Sequence, residues 1–285
     1  MKKIINEKYP LERSLYGEKN LELIDCSFDG KEDGESALKE CENIKLTNCF
    51  MNLRYPMWHD DHLFIEGCTL TDLCRAALWY SSNITIVSSK LLGIKALREC
   101  NNIEMRKDTV VSPEFGWRSH HIKLDDVSLE SEYLFFEASN MDINNIKFKG
   151  KYSFQYTHDV VITNSVLDTK DAFWHSNNVT VNDSVVKGEY LAWYSNNLTL
   201  INCHITGTQP FCYCRNLKLI NCTMEDCDLA FEYSEVNADI KGHIVSIKNP
   251  HKGKISVDSL GELIVTDDSK YSIDAVVNVG GVELK

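Results

Sequence analysis

The sequence predicts an all-β fold, a single-domain right-handed parallel β-helix built from 19-residue coils, about 11–13 of them, with capped ends. Three observations predict it. First, asparagine or a polar stand-in followed by apolar-x-apolar recurs at Asn20, Asn43, His62, Asn83, Asn102, His121, Asn140, Asp159, Asn178, Asn197 and Asn216. After two early insertions the spacing is 19 residues seven times running. A fixed period of this size marks a solenoid, whose units stack because none can bury its apolar face alone. Second, a single copy such as Ala172 to Gly188 contains two short alternating runs, Val179-x-Val181 and Ser184-x-Val186, separated by Asn182-Asp183 and closed by Gly188. Such runs with Asn, Asp and Gly punctuation read as short strands and tight turns, with no helical period beside them. Third, the position eight residues after each repeat residue is apolar in every copy, from Phe28 and Met51 to Ile205 and Met224, as an inward-facing stack requires.

In chain order, residues 1–18 are expected to cap the first coil, 19–235 to form regular coils, and 236–285 to form irregular final coils and a C-terminal cap within one domain, 1–285. An uncapped end would expose core and unpaired strand edges. Each coil is expected to hold three short strands, each pairing with its equivalent one coil above at about 4.8 Å. The fixed leucine framework of leucine-rich repeats is missing. The repeat asparagine suits a corner that needs φ > 0, and stacked asparagines can hydrogen-bond along the axis. On this reading His62 and His121 are corner residues first.

The formal net charge of −12 disfavours nucleic acid and acidic polysaccharide as partners, since both need clustered Lys and Arg. No apolar run follows Lys2-Lys3 and nowhere do 18 apolar residues follow one another, so neither a signal peptide nor a membrane span is expected. Of the 11 cysteines, Cys26, Cys49, Cys68, Cys203 and Cys222 fall six residues after the repeat position, where other copies place Ser89, Val127, Ile146, Ser165 and Ser184. A shared column of small residues means stacked buried thiols, not crosslinks, and a cytoplasmic protein.

All five tryptophans, Trp58, Trp79, Trp117, Trp174 and Trp193, stand four residues before the repeat position, with Phe136 in the same column. The preceding column is almost wholly apolar, so alternation turns it inward and the tryptophans outward. The next column holds Glu40, His59, Tyr80, Glu99, Arg118, Glu137, Tyr156, His175, Tyr194, Tyr213 and Tyr233. Rings beside carboxylates, imidazoles and phenols suit a saccharide-like ligand: apolar sugar faces meet rings and polar tips take hydroxyls. Ligand binding is therefore assigned to the five tryptophans with Tyr80, Tyr156, Tyr194, Tyr213 and Tyr233. The alternatives are a plain structural stack and a homo-oligomer interface, where Trp and Tyr are also enriched.

Candidate chemistry falls on the same column. Glu99, Arg118 and Glu137 occupy successive coils, which puts two carboxyls about 9–10 Å apart, near the upper end of the inverting-glycosidase spacing. His175 is the neighbouring imidazole. Ladders of this kind are more often solvated salt bridges. The run Trp58-His59-Asp60-Asp61-His62 straddles a corner and lacks a third ligand, and Cys212-Tyr213-Cys214 is not a zinc spacing, so no metal and no cofactor are expected.

Gly34-Glu35-Ser36-Ala37-Leu38-Lys39-Glu40, Tyr55-Pro56-Met57-Trp58-His59, Arg75-Ala76-Ala77-Leu78-Trp79-Tyr80-Ser81, Asp171-Ala172-Phe173-Trp174 and Gly207-Thr208-Gln209-Pro210 resemble the bacterial family named domain of unknown function 3737, over nearly the whole chain. The resemblance implies a pectin-lyase-like right-handed β-helix and no assigned reaction, so no catalytic residue carries over from it. Of the polygalacturonase signatures only Asp60-Asp61 looks similar, and Gly242-His243 is followed by Ile244. The Trp-x-Asp-His element of pectate lyases is matched only with one extra residue. These departures argue against a secreted pectinase.

Overall fold

The structure, a computed structural model, describes residues 1–30 and 35–284, so Gly34 of the first motif lies outside the described residues. The chain forms two compact units, Met1–Lys147 and Phe148–Lys285, built as parallel β-solenoid of the right-handed type. Among the described residues the one helical element is the short turn Asp72–Cys74. Among these residues no helix is long and apolar enough to cross a membrane.

In the first unit the strands Lys19–Ile24, Glu42–Thr47, Asp61–Glu66, Ser82–Val87, Asn101–Arg106, His120–Asp125 and Ser139–Asn144 stack in parallel. Their register is the sequence repeat itself: Ile103 pairs with Ile84 on one side and Ile122 on the other. A shorter strand in each coil, from Ser27–Phe28 to Ser128–Ser131, stacks the same way. In the second unit His158–Thr163, Asn177–Asn182, Asn196–Ile201 and Leu217–Glu225 repeat the arrangement. Every residue at the repeat position, His62 and His121 included, adopts a φ between 49° and 59°. Several corner side chains bond along the axis, as in Asn43 Nδ2 to Asn20 Oδ1 at 2.6 Å and Asn216 Nδ2 to Asn197 Oδ1 at 2.6 Å.

The third side of the coil differs from the strand that alternation suggested. Residues five and three before the corner are both left-handed: Met57 and His59 (57° and 60°), Leu78 and Tyr80 (61° and 59°), Phe173 and His175 (60° and 53°). Two left-handed residues around one ordinary residue curl the chain while still throwing neighbouring side chains to opposite sides. This conformation is costly for β-branched residues, and neither column contains Val, Ile or Thr from Leu38 to Tyr233. Backbone hydrogen bonds still join the coils, as in Tyr80 N–H to the Arg98 carbonyl at 2.9 Å and His175 N–H to the Trp193 carbonyl at 3.0 Å.

Four inward columns fill the interior: the two apolar residues of each long strand (Ile84 and Ile86), the residue eight after the corner (Leu91), and the residue five before it (Leu97), all buried. At Gly116 this last column is empty for a packing reason. A Cβ there would stand 2.3 Å from the Phe135 ring, so glycine makes room for the large ring of the next coil. Gly188, at φ 143°, lets the backbone approach so closely that a Cβ would lie 1.6 Å from the Thr169 carbonyl oxygen.

Two further interior columns are polar. Where the chain turns a corner, some backbone N–H groups face inward without a strand partner, and buried donors need acceptors. The side chain one coil on supplies them. In one column Cys41 N–H donates to Asp60 Oδ1 (2.7 Å), Asp60 N–H to Ser81 Oγ (3.0 Å) and Cys100 N–H to Ser119 Oγ (3.1 Å). In the other, Cys49 N–H donates to Cys68 Sγ (3.2 Å), Cys68 N–H to Ser89 Oγ (3.0 Å) and Ser89 N–H to Asp108 Oδ1 (2.7 Å). The cysteine column therefore selects small acceptors as well as small volume. All 11 cysteines are buried and none is in a disulfide.

The ends are closed by strands. Lys2–Ile5, within the expected cap, pairs in parallel with Lys19–Ile24. After Asn216 the strands lengthen, to 14 residues in Glu235–Lys248 and 13 in Lys252–Ile264, so much of 236–285 is regular sheet. Val276–Val279 then turns back through Gly280-Gly281 to pair antiparallel with Val282–Leu284, covering its free edge.

Candidate functional site

The tryptophans lie on the left-handed side of the coil, half-buried, between the buried column and the exposed one. Each indole N–H is used internally. Trp58 Nε1 donates to the Ala76 carbonyl (2.7 Å), Trp79 to Lys95 (2.6 Å), Trp117 to Tyr133 (2.8 Å), Trp174 to Tyr190 (2.7 Å) and Trp193 to Gln209 (2.8 Å). The faces are used as well. In the first unit Trp58 and Trp79 stack at 4.9 Å and 3°. The Arg98 guanidinium then sits 4.7 Å from the Trp79 ring and 4.6 Å from the Trp117 ring, anchored by Glu114 at 2.7 Å. Lys39 stands over Trp58 at 5.4 Å, and Phe136 lies 5.2 Å beyond Trp117. In the second unit Trp174 and Trp193 stack at 5.3 Å and 2°. Arg98 thus serves as a cation–π spacer between two rings, and Lys39 caps Trp58.

The exposed column stacks in the same manner. His59 lies on Tyr80 at 4.9 Å in the first unit. In the second, Tyr156, His175, Tyr194 and Tyr213 follow one another at 4.9, 5.0 and 4.6 Å, nearly parallel, and Tyr233 continues the row at 5.5 Å, tilted. Left-handed backbone at every one of these positions gives the rings a common direction, and the coil spacing brings them into face contact. What reaches solvent is a row of ring edges with phenol and imidazole tips; Tyr156 is 48% and Tyr194 46% exposed. Burial first, with the Glu232 carboxylate second, pushes the Tyr213 hydroxyl up to about 12, which keeps it a donor.

Glu99, Arg118 and Glu137 do come together. Arg118 Nε is 2.6 Å from Glu137 Oε2 and its Nη1 3.9 Å from Glu99 Oε1, with all three side chains exposed. One guanidinium takes up both carboxylates, and the hydrogen bond that Arg118 donates to Glu137 raises the already high Arg118 value. The arrangement is a solvated ion-pair stack, not a carboxylic acid facing a carboxylate across a cleft. His175 belongs to the second unit and is held between two tyrosine rings. Among the described residues no group of three or more His, Cys, Asp or Glu side chains has the arrangement of a metal site.

Sequence reasoning misses Asp108 and weighs Asp60 only within the Trp58–His62 run and as half of Asp60-Asp61. Asp60 and Asp108 are almost fully buried, 1% and 2% exposed, in the two acceptor columns. Burial pushes Asp60 up to about 8, against one hydrogen bond from Cys41 N–H, and its Oδ2 has no hydrogen-bond partner among the described residues. Asp108 accepts from two N–H groups, Ser89 to Oδ1 (2.7 Å) and Arg106 to Oδ2 (3.0 Å), and burial raises it only to about 6. The available signal was register: each acid replaces Ser or Cys in a column of small residues.

No curated protein matches this chain. Among solved structures, the A-module of the mannuronan C-5 epimerase of Azotobacter vinelandii is similar at 7% identity, covering 96% of this chain and 91% of that one, with a TM-score of 0.35. A periplasmic alginate epimerase is similar at 11% identity, 97% and 77% coverage, and a TM-score of 0.29. A plasmid-mediated fluoroquinolone resistance protein follows at 12% identity, 79% and 91% coverage, and a TM-score of 0.19. The family model described as protein of unknown function (DUF3737) matches residues 2–278, and the chain belongs to that family.

Proposed function

We propose that the protein is a binding module for an extended, hydroxyl-rich ligand of the glycan class, which lies along the exposed Tyr/His row of the second unit. The observation that carries this reading is the row itself: Tyr156, His175, Tyr194 and Tyr213 stack with ring centroids 4.9, 5.0 and 4.6 Å apart, and Tyr233 closes the row at 5.5 Å, its hydroxyl accepting from Lys270 N–H at 3.5 Å. Stacking on their neighbours preorganises the rings, so ordering them costs little on binding. Because the faces are occupied, the ligand is held by hydrogen bonds to the tips and by contact with ring edges. The tryptophans support the row from beneath through packing and do not receive the ligand on their faces. The module works without a cofactor, and the Glu99–Arg118–Glu137 stack is structural.

A saccharide panel read by thermal shift tests this. A hydroxyl-rich oligomer is expected to raise the melting temperature, longer oligomers more than shorter ones. Tyr194→Ala, which removes the middle of the row, is expected to reduce the shift several-fold. A panel in which no saccharide moves the melting temperature removes the reading.

A second reading is self-association through the same face, favoured by its flat, edge-on aromatic surface, a composition common at subunit contacts. Light scattering at micromolar concentration separates the two: a stable dimer dispersed by Tyr194→Ala supports the interface, and a monomer removes it. A reducing compartment is the setting we propose, which the 11 buried thiols support.

A further inference from the structure

The Gly242-His243 pair singled out in the sequence lies at an irregularity of the sheet. Ile240 pairs with Val257 and His243 with Ser259, so Lys241 and Gly242 together oppose the single residue Asp258. This is a β-bulge, a device that bends a strand and re-aims side chains, frequently beside binding sites. Gly242 takes φ 91° there, and its N–H is turned out to Asp258 Oδ2 at 2.9 Å. Beside the bulge lies an open concavity of about 440 Å³, lined by residues of three consecutive strands, among them His204, Thr223, Glu225, Lys241 and His243.

The lining is ordered by register and by hydrogen bonds. His204 pairs with Thr223, and Thr223 with Lys241, so the three side chains stand in one row across adjacent strands. His204 Nδ1 is 2.8 Å from Thr223 Oγ1, and its Nε2 is 3.7 Å from Glu225 Oε2. His243 Nδ1 is 2.9 Å from Ser259 Oγ, which fixes that ring as well. Two of the acids nearby are engaged: Asp258 by the bulge N–H and Glu225 by His204. Lys241 has no ion-pair partner among the described residues, and it shares the hollow with two oriented imidazoles and a hydroxyl. Asp226 at the rim is the remaining carboxylate.

We propose that this bulge concavity is a binding site for a small molecule with one oxyanion head, a phosphate ester or a carboxylate. Lys241 supplies the charge, Thr223 and His243 supply directed donors, and His204 holds the Thr223 hydroxyl in place. Asp226 repels a second negative group, so the rest of the ligand is neutral or carries an amine or hydroxyls. The site is independent of the aromatic row: none of its residues belongs to that column.

The test is a titration of the full chain with inorganic phosphate and, separately, acetate. It is followed by the imidazole resonances of His204 and His243, assigned with His204→Ala and His243→Ala. Saturable shifts confined to these two rings are expected, with affinity falling at least about fivefold in Lys241→Ala, about 1 kcal/mol by the usual conversion. Response to phosphate alone identifies a phosphate ester as the ligand class, and response to acetate alone a carboxylate. Lys241 and His243 are exposed, so their substitution is expected to leave the thermal transition in place. No saturable shift with either anion, or equal affinity in wild type, Lys241→Ala and His243→Ala, overturns the proposal.

Discussion

Asp60 is a carboxyl group in a column that elsewhere takes Ser, Cys, Thr or Ala, and it carries a pH dependence with it. An unfolded aspartate titrates near about 3.9, whereas burial holds the folded group at about 8. The folded state therefore keeps a proton that the unfolded state gives up. The stability tied to that proton is fully present below about pH 4 and is lost as pH rises through about 8. Asp60→Asn keeps an oxygen for the Cys41 N–H and cannot ionise. Its unfolding free energy from urea titration is expected to exceed that of wild type by at least about 1 kcal/mol near pH 8, with the difference shrinking toward acid pH. Parallel pH curves for the two proteins would contradict this account of the site. Asp108 sets the scale, since a second N–H donor to its carboxylate accompanies a smaller rise. Neither acid stands out in the sequence as an interior acceptor, because the signal is one odd member in a column whose task, accepting a corner N–H, shows only in three dimensions.

At the scale of the element, the third side of the coil holds the lesson. The sequence pattern reads as strand alternation and places the apolar column inward and the tryptophans outward. Burial follows that order, yet the segment is a turn of paired left-handed residues. Alternating left-handed and ordinary residues reproduce the two-residue period of a strand, so periodicity alone could not tell them apart. What could have done so is the absence of β-branched residues from the two left-handed columns. The face-to-face stacking that closes the rings to sugar faces was likewise invisible, because it depends on ring direction and not on column membership. Arg98 tests the stack. Arg98→Ala removes a guanidinium held between two indoles and its bond to Glu114, and is expected to cost about 1–3 kcal/mol in urea unfolding. Arg118→Ala, in the exposed ion-pair stack, is expected to leave the midpoint nearly unchanged. Equal losses would show that the cation sandwich contributes no more than a surface ion pair.

For the molecule as a whole, the fold was legible because a solenoid writes its register into the sequence: corner, core and exposed columns each recur every coil, so each is sampled about eleven times. A binding site has no such redundancy, and the bulge at Gly242 appears once, where the period has already lapsed. If the proposed ligand lies along the exposed row of the second unit, Trp174 and Trp193 in the column beside it report its arrival. Acrylamide quenching of tryptophan emission, measured with and without an oligosaccharide mixture on protein shown to be monomeric, tests it most directly. Intermediate quenching of the half-buried indoles is expected, with a clear fall when saccharide covers the ring edges beside Trp174 and Trp193. Quenching unchanged by every saccharide in the mixture would contradict it.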